Sequence, residues 1–568
     1  MRCILLALLI HSVVTGHGQV FPADSYPKGY FRNPLNIPIS LAGNFGELRP
    51  NHYHMGFDLK TDHHENMPVY AAADGYIARI KIEPAGFGRA IYINHPNGFT
   101  TVYGHLNAFM PALDAWLKEQ QYKQETWRIF PELPASLFPV KKGDFIAFSG
   151  NTGGSQGPHV HFEIRKTDDD VNRNPMLFGF PLADNTRPTV SRLALYDRRL
   201  SLYEQSPRMI PIKKNAGGYT SIAPVISVGS PRISFAISAA DTHSGSANAN
   251  GIFEADLFHN GQPVIGFQMD KISYSNTRSL NAHIDYKTKS TGGPYLQQLF
   301  ELPGYQNSIY KRVSGDGVID ISDGAEHDIK VHVKDAYGNT SMISVKVKMG
   351  AVLPAAIVTG GKMFYPSMID GIENTDCEFY MGEHSLYDSV HIGYKRTAAG
   401  PASIVSAVHS IGAAYIPLQD SMLVRIKPLV ALDADKRSHV VMQRFAGAKR
   451  DVQKCEWQKG WAIGRFREMG SFQLVLDETA PEIIPIGFKN GANMSRTSRM
   501  VFTVKDNLET VRNVRAELDG KWLRFTNDKG RNFIYIFDEL CGPGSHTLKV
   551  SAEDEAGNAA VKIFTFTR

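Results

Sequence analysis

The chain has few cysteines, no long hydrophobic segment and no cluster of basic residues. It has four cysteines among 568 residues, which is too few for a disulfide scaffold, and it has no CxxC pair that could bind a metal ion through sulfur. No run of about 18 or more apolar residues is present, which excludes a multi-pass membrane protein. The net charge of +5 is mild and dispersed, so it does not indicate binding to nucleic acid, although it suits an anionic polymer or surface.

The overall composition is that of a globular protein with several domains. Hydrophobic residues make up 43% of the chain and charged residues 21%, which is too apolar for intrinsic disorder. At roughly 150 residues per domain, the length predicts about four domains.

The first eighteen residues have the layout of a secretory signal peptide. Arg2 precedes the apolar run Cys3–Ile10, and the small residues Gly16 and Gly18 follow at a spacing suited to cleavage. The run is too short to span a bilayer. We therefore expect an exported protein of the cell envelope, either periplasmic or secreted, with no transmembrane anchor after cleavage.

Removal of this segment leaves three cysteines, Cys377, Cys455 and Cys541. Cys377 and Cys455 fall in the same predicted module and could pair in an oxidising compartment. Two buried free thiols are an equally good interpretation of the sequence.

Closely spaced β-strands are predicted from Pro68 to Arg165. Short β-like runs alternate there with turn signals, and the turn Pro96–Gly98 between two of them predicts a hairpin. The segment Pro111–Trp127 differs, because its apolar residues recur at helical spacing after a proline suited to a first turn. We predict an amphipathic helix inserted between two strands.

An internal repeat marks the part of the chain beyond about residue 185. The segment Glu326–Asn339 parallels Ser545–Asn558, and the predicted strands Arg232–Asp241 and Arg499–Asp506 lie upstream of the two copies. Alternating strands of this length, closed by an Asp-x-x-Gly-Asn turn, predict β-sandwiches that resemble bacterial immunoglobulin-like modules. The aspartate of each turn could be a calcium ligand, but a turn-forming role is the better interpretation.

Three groupings of histidine carry the chemical information. The first is an HxxxD pattern, His54 with Asp58; the second is His105 at the end of a predicted strand; the third is the pair His159 and His161. Each pattern is weak alone. Together, in one predicted β domain behind a signal peptide, they indicate a metal site.

The parity of a β-strand predicts which of these side chains face each other. Residues i and i+2 lie on one face, so His159, His161 and Glu163 share a face while the apolar residues between them fill the core. The same parity places Tyr103 and His105 on one face of the preceding strand. Two strands can therefore aim three imidazoles at one point. Glu163 is either a partner that orients an imidazole or an exposed strand residue.

Two histidines and one carboxylate match a hydrolytic zinc site. Such a site uses three nitrogen or oxygen ligands and leaves the fourth position for water, whose pKa falls to about 7. Further histidines can then act on the proton or on the developing oxyanion. His52, His63 and His64 are expected to be structural or solvated.

Four stretches carry a resemblance to a known family: FGELRPNHYHMGFDL (45–59), PVYAAADGYIARI (68–80), HPNGFTTVYGHL (95–106) and VKKGDFIAFSGNTGGSQGPHVHFEIR (140–165). Together they resemble the lysostaphin/LytM-type zinc metallopeptidases, whose compact β fold is shared with the duplicated-hybrid-motif proteins. The stretch between His105 and Lys141 is longer than in the simplest family pattern and holds the predicted helix. This difference leaves the metal site intact and affects the expected shape of the substrate groove.

The resemblance implies a set of site residues. It implies that His54, Asp58 and His161 bind one Zn2+ per chain. It also implies that His105 and His159 are the catalytic pair, which assists water activation and stabilises the tetrahedral intermediate, with either histidine as the base. The family cleaves peptide bonds in peptidoglycan stems or cross-links.

The predicted fold class is mainly β, with a compact antiparallel β peptidase domain that holds a short inserted helix, followed by β-sandwich, immunoglobulin-like modules. The predicted divisions are a signal peptide (1–18), a zinc metallopeptidase domain (19–185, motif core 45–165), an immunoglobulin-like module (186–350), a β module of unknown role (351–476) and a second immunoglobulin-like module (477–568).

The predicted function is that of a secreted zinc metalloendopeptidase whose substrate is a peptidoglycan peptide. The β modules are the expected contacts for other cell-wall proteins. One alternative is a non-catalytic regulator that binds peptidoglycan or activates another wall hydrolase, and it is supported by the large accessory portion. A second alternative is an adhesin or scaffold with a structural zinc site. The presence of all five site residues favours the enzyme, because family members that act as amidase activators lack some of them.

Overall fold

The computed structural model of the chain describes residues 20–22, 25–243, 248–352, 354, 360–401 and 403–568. The predicted signal peptide lies outside the described residues. The described chain is mainly β, with 46% strand and 8% helix, which confirms the predicted fold class. Among these residues, no helix has the length and apolar character needed to cross a membrane.

The first domain is built from short strands and one helix. In chain order the elements are β1 (Leu41–Gly43), β2 (Leu48–Arg49), β3 (His52–Tyr53), β4 (Phe57–Lys60), β5 (Pro68–Tyr70), β6 (Gly75–Ile82), β7 (Arg89–Asn94), β8 (Phe99–Gly104), β9 (Ala108–Phe109), α1 (Pro111–Gln124), β10 (Pro139–Val140), β11 (Phe145–Phe148), β12 (His159–Lys166) and β13 (Asn172–Arg173).

Seven of these strands form one antiparallel sheet in the order β1-β4-β12-β8-β7-β6-β10, and β13 pairs with the far end of β12. A smaller sheet has the order β5-β11-β9. Side chains of both sheets and of α1 share one hydrophobic core, with Ile91, Phe162, Ile146 and Leu113 among its members. The alternation that places Phe162 in this core leaves the neighbouring residues of β12 on the opposite face.

The predicted hairpin and helix are both present. Strands β7 and β8 pair through the turn at residues 95–98, where Gly98 has a φ of 77°. Helix α1 begins at Pro111, as predicted, and ends at Gln124 because Glu125 adopts a left-handed conformation with a φ of 48°. Leu113 and Leu117 of α1 are buried in the core of the first domain.

The three following modules are each built mainly from two sheets. In the module after residue 186, one sheet contains Arg208–Ile210, Thr189–Asp197, Arg232–Ala240, Gln297–Gln298 and Ile319–Asp320, and the other contains Ile212–Asn215, Gly218–Ser221, Thr340–Met349, Glu326–Lys334, Glu254–His259, Gln262–Gln268, Tyr310–Arg312 and Ile226–Val228. The strand Lys271–Ile272 pairs with β13 and so joins this module to the first domain. Its short helices are Leu280–His283 and Tyr286–Ser290.

The sheets of the last two modules have five strands or fewer. One sheet of the middle module contains, in order, Asp370–Glu373, Cys377–Met381, Pro417–Ile426, Trp461–Glu468 and Glu456–Gln458, and the other contains Tyr394–Thr397, Val408–Ile411, Gly470–Leu476, Val440–Ala446 and Lys449–Lys454. The module also has the strand pair Lys362–Phe364 with Val390–Ile392 and the helix Ala434–Ser438. One sheet of the C-terminal module contains Glu482–Ile486, Arg499–Lys505 and Phe533–Ile536. The other contains Ala492–Asn493, Ala559–Thr567, Ser545–Asp554, Val511–Leu518 and Lys521–Trp522.

The strands predicted from the internal repeat are confirmed to within a residue or two at the positions Arg232–Ala240, Arg499–Lys505, Glu326–Lys334 and Ser545–Asp554. The turn role of the repeated aspartate is also confirmed: Asp335 Oδ1 accepts hydrogen bonds from the backbone N–H groups of Tyr337 and Asn339, both at 2.8 Å. The immunoglobulin-like assignment of these modules stays a prediction.

Hydrophobic clusters cross two of the predicted divisions. Phe45, Tyr53 and Met55 of the first domain are buried in the same cluster as the core of the next module. A second cluster joins side chains of the 186–350 and 351–476 segments. The predicted divisions at 185 and 350 thus separate segments of the chain whose side chains pack together, and the division into domains stays a prediction.

Candidate active site

The register of three strands brings the predicted metal ligands together. Strand β12 lies between β4 and β8, so that His161 is paired with Asp58 on one side and with Gly104 on the other. His54 lies on the segment just before β4. His54 Nε2, Asp58 Oδ1 and His161 Nδ1 lie 3.0 Å from one another in all three pairs.

This donor set fits a zinc ion. Four-coordinate zinc with ligands at about 2.0–2.1 Å places neighbouring ligand atoms about 3.3 Å apart, which is close to the observed triangle of 3.0 Å sides. The three side chains are buried. No fourth side chain among the described residues completes the cluster, so the coordination sphere would keep a position for water or substrate.

Each candidate ligand is held by a partner on its far side. His54 Nδ1 donates to the backbone carbonyl of Asn44 at 2.7 Å, and His161 Nε2 donates to Glu163 Oε1 at 2.9 Å. The other oxygen of Asp58 accepts a hydrogen bond from Arg49. These contacts select the tautomers that leave His54 Nε2 and His161 Nδ1 free to bind a metal ion.

Glu163 is a partner of His161 and not an exposed strand residue. Its side chain is fully buried, and it accepts further hydrogen bonds from Arg165, Asn172 and Tyr274. Burial alone would raise the pKa of Glu163, but Arg165 and the hydrogen bond from His161 lower that pKa to about 2. Glu163 is therefore an ionised acceptor that holds the His161 imidazole in place.

The module after residue 186 supports both histidine ligands. Tyr274 of that module donates to Glu163. Asn44, whose carbonyl holds His54, exchanges two hydrogen bonds with the backbone of Gly251, at 2.8 and 2.9 Å. The sequence did not predict these contacts, because they join residues more than 100 positions apart and carry no local pattern.

His105 and His159 lie beside the ligand cluster. Their ring centroids are 4.8 Å apart, and the His105 ring is 5.8 Å from that of His161. His159 Nε2 is 3.3 Å from Asp58 Oδ1. Each Nδ1 donates to a backbone carbonyl, of Thr152 at 2.9 Å for His105 and of Gly157 at 2.8 Å for His159, so Nε2 is the nitrogen that each neutral ring leaves unprotonated.

The prediction that strand parity places Tyr103 and His105 on the same face was wrong. Tyr103 pairs with Phe162 and packs in the core, on the face opposite His161. Strand β8 ends at Gly104, and His105 adopts a left-handed conformation with a φ of 61°. This break in the strand, and not its parity, brings the His105 ring to the metal cluster.

Burial determines the protonation of this site. It lowers the pKa of His54 and lowers the pKa of His105 to about 3, so both imidazoles are neutral near pH 7. Burial alone would raise the pKa of Asp58, but its contacts with His54, His159 and His161 hold that pKa well below its usual range. Burial alone would lower the pKa of His161, but its contacts with Asp58 and Glu163 raise that pKa to about 9. A metal ion that binds at this site would therefore displace a proton from His161.

Two glycine-rich loops meet near His105 and His159. Gly153 has a φ of 65°, and a Cβ there would lie 2.2 Å from the backbone nitrogen of Gly88. Gly154 N donates to the carbonyl of Gly86 at 2.8 Å. Only a residue without a side chain permits the approach at Gly153.

The C-terminal module contacts the loop that leads into β12. Lys529 Nζ donates to Asn151 Oδ1 at 3.0 Å and to the Ser155 carbonyl at 2.8 Å. Arg89 also forms an ion pair with Asp528 at 3.0 Å. The chain therefore returns to the first domain beside His159, to which Ser155 Oγ comes within 3.2 Å.

The remaining candidates have no place in the site. His52 is exposed and bonds the Pro50 carbonyl at 2.8 Å, and His63 and His64 are exposed in a turn. Cys377 and Cys455 are free thiols, of which Cys377 is buried and Cys455 half-buried. This agrees with the second interpretation except for the burial of Cys455.

Comparisons with known proteins identify two parts of the chain. The model of Peptidase family M23 matches residues 52–122 and 138–173, and that of the Zu5-like domain matches residues 362–477. The first match includes most of α1 and omits residues 123–137, so the segment additional to the family follows the helix. The second match assigns a family to the predicted module of unknown role.

The curated relatives are similar over the same part of the chain. The "DD-carboxypeptidase/endopeptidase Mpg" of Neisseria meningitidis is 28% identical over 193 residues, which are 34% of this chain and 35% of the relative. An "Uncharacterized metalloprotease" of Haemophilus influenzae is 29% identical over 173 residues, 28% of this chain and 30% of the relative. The "Peptidoglycan DD-endopeptidase ShyA" of Vibrio cholerae is 26% identical over 147 residues, 25% of this chain and 28% of the relative. The chain spans about a third of the length of these relatives.

Solved structures of similar domains include the catalytic domain of lysostaphin from Staphylococcus simulans, at 22% identity. That comparison covers 24% of this chain and 87% of the other, with a TM-score of 0.18. The catalytic domain of the M23 protein EnpA from Enterococcus faecalis is also 22% identical, and covers 26% of this chain and 96% of the other, with a TM-score of 0.19. On the family-model matches, the chain contains a metallopeptidase domain of family M23, followed by a Zu5-like domain.

Proposed function

We propose that this protein is a zinc metalloendopeptidase that hydrolyses peptide bonds of peptidoglycan. The observation that carries the proposal is the open triangle of His54 Nε2, Asp58 Oδ1 and His161 Nδ1, with sides of 3.0 Å, beside the His105 and His159 rings. A relative named as a peptidoglycan DD-endopeptidase and one named as a DD-carboxypeptidase/endopeptidase support the choice of substrate. The substrate also fits the mild positive charge of the chain.

The ligand residues prepare the site for a divalent cation. Asn44 and Glu163 orient the two imidazoles, and Arg49 leaves one oxygen of Asp58 free to bind. A zinc ion bound there would polarise the scissile carbonyl and lower the pKa of a bound water to about 7.

His105 and His159 act on protons and on developing negative charge. Because each Nδ1–H donates to a carbonyl, each ring can use Nε2 to accept a proton from the attacking water or, once protonated, to donate to the oxyanion. One histidine takes the first role and the other takes the second. The proton then passes to the leaving amine.

We propose that the protein acts outside the cytoplasm. The predicted signal peptide supports export, and a peptidoglycan substrate would place the mature chain in the cell envelope, either in the periplasm or released. We propose that the β modules position the metallopeptidase domain on the wall or on other wall proteins.

The test uses the mature chain, loaded with zinc, and purified peptidoglycan sacculi. We expect mass spectrometry of the soluble products to show new free amines at one type of peptide bond, lost on addition of a chelator and restored by zinc. His105→Ala and His159→Ala should lose this activity and still bind one zinc per chain, because neither residue is a ligand. His54→Ala should lose both.

His52→Ala is the matched control, since His52 is exposed, lies two residues from His54 and contacts no site residue. It should keep full activity. Full activity of His159→Ala would remove that residue from the catalytic pair. A fully metallated protein that released nothing would contradict the enzyme and favour a non-catalytic regulator.

A further inference from the structure

A second group of ligand-type side chains lies far along the chain from the candidate zinc centre. Asp477, Asp506 and Asp554 each offer a carboxylate oxygen, and these oxygens all lie within 4.8 Å of one another. Asp477 is the last residue of the Zu5-like match, Asp506 directly follows the strand Arg499–Lys505, and Asp554 ends the strand Ser545–Asp554. Three separate segments therefore meet at the start of the C-terminal module.

Oxygen atoms in this cluster are buried without a hydrogen bond. Asp477 is only 3% exposed, and its Oδ2 has no partner among the described residues. Asp506 Oδ1 is likewise buried and without a partner in the described part of the chain. Burial of a carboxylate oxygen without a partner is costly, so these two atoms are the ones that a cation would contact first. Both oxygens of Asp554 accept hydrogen bonds from Asn558, at 2.9 and 2.8 Å, and keep further lone pairs for a cation.

The cluster also has uncompensated negative charge. No Lys, Arg or His of the described residues forms an ion pair with any of the three aspartates. Burial and the like charges of Asp477 and Asp554 raise the pKa of Asp506, although backbone N–H groups of Leu508 and Thr510 act in the opposite direction. A cation would relieve both the repulsion and the lack of partners.

The equivalent cluster in the first copy of the repeat differs in an informative way. It contains Asp184, Asp241 and His243, and Asp241 is 2% exposed with an Oδ1 that has no described partner. There His243 Nδ1 lies 3.3 Å from Asp184 Oδ2, so an imidazole contacts one of the carboxylates directly. The C-terminal copy has no such side chain among the described residues.

The donor chemistry selects a hard divalent cation. All three donors are carboxylate oxygens, which Ca2+ and Mg2+ prefer and which do not favour the softer transition metals. Calcium binds oxygen at about 2.3–2.6 Å, so two ligands on opposite sides of the ion are about 5 Å apart, which accommodates the observed spacing. Magnesium would require a tighter and more regular set of ligands.

We propose that Asp477, Asp506 and Asp554 bind one calcium ion at the junction between the Zu5-like domain and the C-terminal module. The backbone of Asp477 is already held from both sides: its N–H donates to the His439 carbonyl at 3.0 Å, and its carbonyl accepts from Asn558 Nδ2 at 2.9 Å. The ion joins these two contacts to the end of the strand Arg499–Lys505 and stiffens the junction. It thereby steadies the module that carries Lys529 to the first domain.

The test is a calcium titration of the full mature chain, loaded with zinc so that the zinc centre is filled. We expect isothermal titration calorimetry to show calcium binding with a dissociation constant on the order of 10⁻⁴–10⁻³ M, as in extracellular modules. Calcium should also raise the melting temperature. Asp506→Asn removes one charge and should weaken calcium binding by about tenfold or more, and Asp477→Asn is a second variant should the first not fold.

Glu509→Gln is the matched control. Glu509 is an exposed carboxylate three residues from Asp506, so its loss of charge should leave calcium affinity within about twofold. Failure of the wild-type chain to bind calcium would overturn the proposal. So would an unchanged affinity in folded Asp506→Asn, and equal affinity for magnesium would overturn the choice of calcium. The titration measures binding without substrate, so its result is independent of peptidase activity.

Discussion

Replacement of Glu163 by glutamine should weaken both zinc binding and the stability of the fold. All four contacts of Glu163 are hydrogen-bond donors: His161 and Tyr274 donate to Oε1, and Arg165 and Asn172 donate to Oε2. A glutamine has only one oxygen to accept. Its NH2 group must therefore face one of the two donor pairs.

Both orientations carry a cost. If the NH2 group faces His161, the imidazole must release its Nε2 proton and carry it on Nδ1, where it would block the metal. If the NH2 group faces Arg165, donors meet donors at the guanidinium. In either orientation Arg165, which is 4% exposed, loses the negative charge of Glu163 and keeps only Asp170 as an ion-pair partner among the described residues, at 3.1 Å. Loss of a residue that orients a metal-binding histidine, as Glu163 orients His161, costs about 10–100-fold in metal affinity, or about 1.4–2.7 kcal/mol. Loss of one member of a buried ion pair costs about 3–5 kcal/mol in stability.

We therefore expect Glu163→Gln to weaken zinc binding by about 10–100-fold and to lower the free energy of unfolding by about 3 kcal/mol. This loss of stability is at the lower end of the range for a broken buried ion pair, because Asp170 still pairs with Arg165. Competition with a chromophoric chelator measures the first quantity, and urea denaturation of the zinc-free chain measures the second. Glu119→Gln, an exposed carboxyl on α1, is the control. Wild-type values for both quantities in Glu163→Gln would refute the reasoning.

Three further outcomes are expected. Gly153→Ala should lower the free energy of unfolding by about 1–3 kcal/mol, because Gly153 has a φ of 65° and a Cβ there would lie 2.2 Å from Gly88 N. Gly154→Ala should lower it by less, because the nearest atom to a Cβ at Gly154 is 3.3 Å away. Equal urea midpoints for the two variants would contradict this. Lys529→Ala should lower kcat by up to about 10²-fold without changing zinc affinity, because it frees the loop that positions His159, and Lys521→Ala on the same module should not. Burial and the nearby Glu254 raise the pKa of Asp256 to about 7 despite its ion pair with Lys334. Because this pKa is higher in the folded chain than in the unfolded chain, the contribution of Asp256 to the free energy of unfolding is fully present below about pH 4 and is lost as the pH rises through about 7. Asp256→Asn should therefore melt higher than wild type at pH 8 and show a smaller gain at pH 5.

The sequence predicted the ligand cluster because the strand β12 follows simple rules. Its alternation placed Phe162 in the core and His161 on the other face, and the structure agrees. The same rule failed at His105, because parity ends where a strand ends and the left-handed residue is not visible in a hydrophobic pattern. The helix was predicted to within three residues, since Pro111 and the buried Leu113 and Leu117 are local signals.

Contacts between distant segments were not predictable in the same way. Tyr274 reaches Glu163 across 111 positions, and Lys529 reaches Ser155 across 374. Neither residue belongs to a motif, and each depends on how modules pack after their strands have formed. The internal repeat did reveal that the two modules share a plan, and this plan brings Asp477 and Asp554 together at the start of the second copy.

The shared packing of Phe45, Tyr53 and Met55 with the next module limits how this protein can be divided or recombined. Cutting the chain near residue 185 would expose three buried side chains, each worth about 1.5–3 kcal/mol of burial. It would also remove the supports of both histidine ligands, Tyr274 and Gly251. A graft that ends near residue 185 should therefore aggregate and bind zinc weakly, and the hydrophobic cluster that crosses residue 350 makes a cut there unfavourable as well.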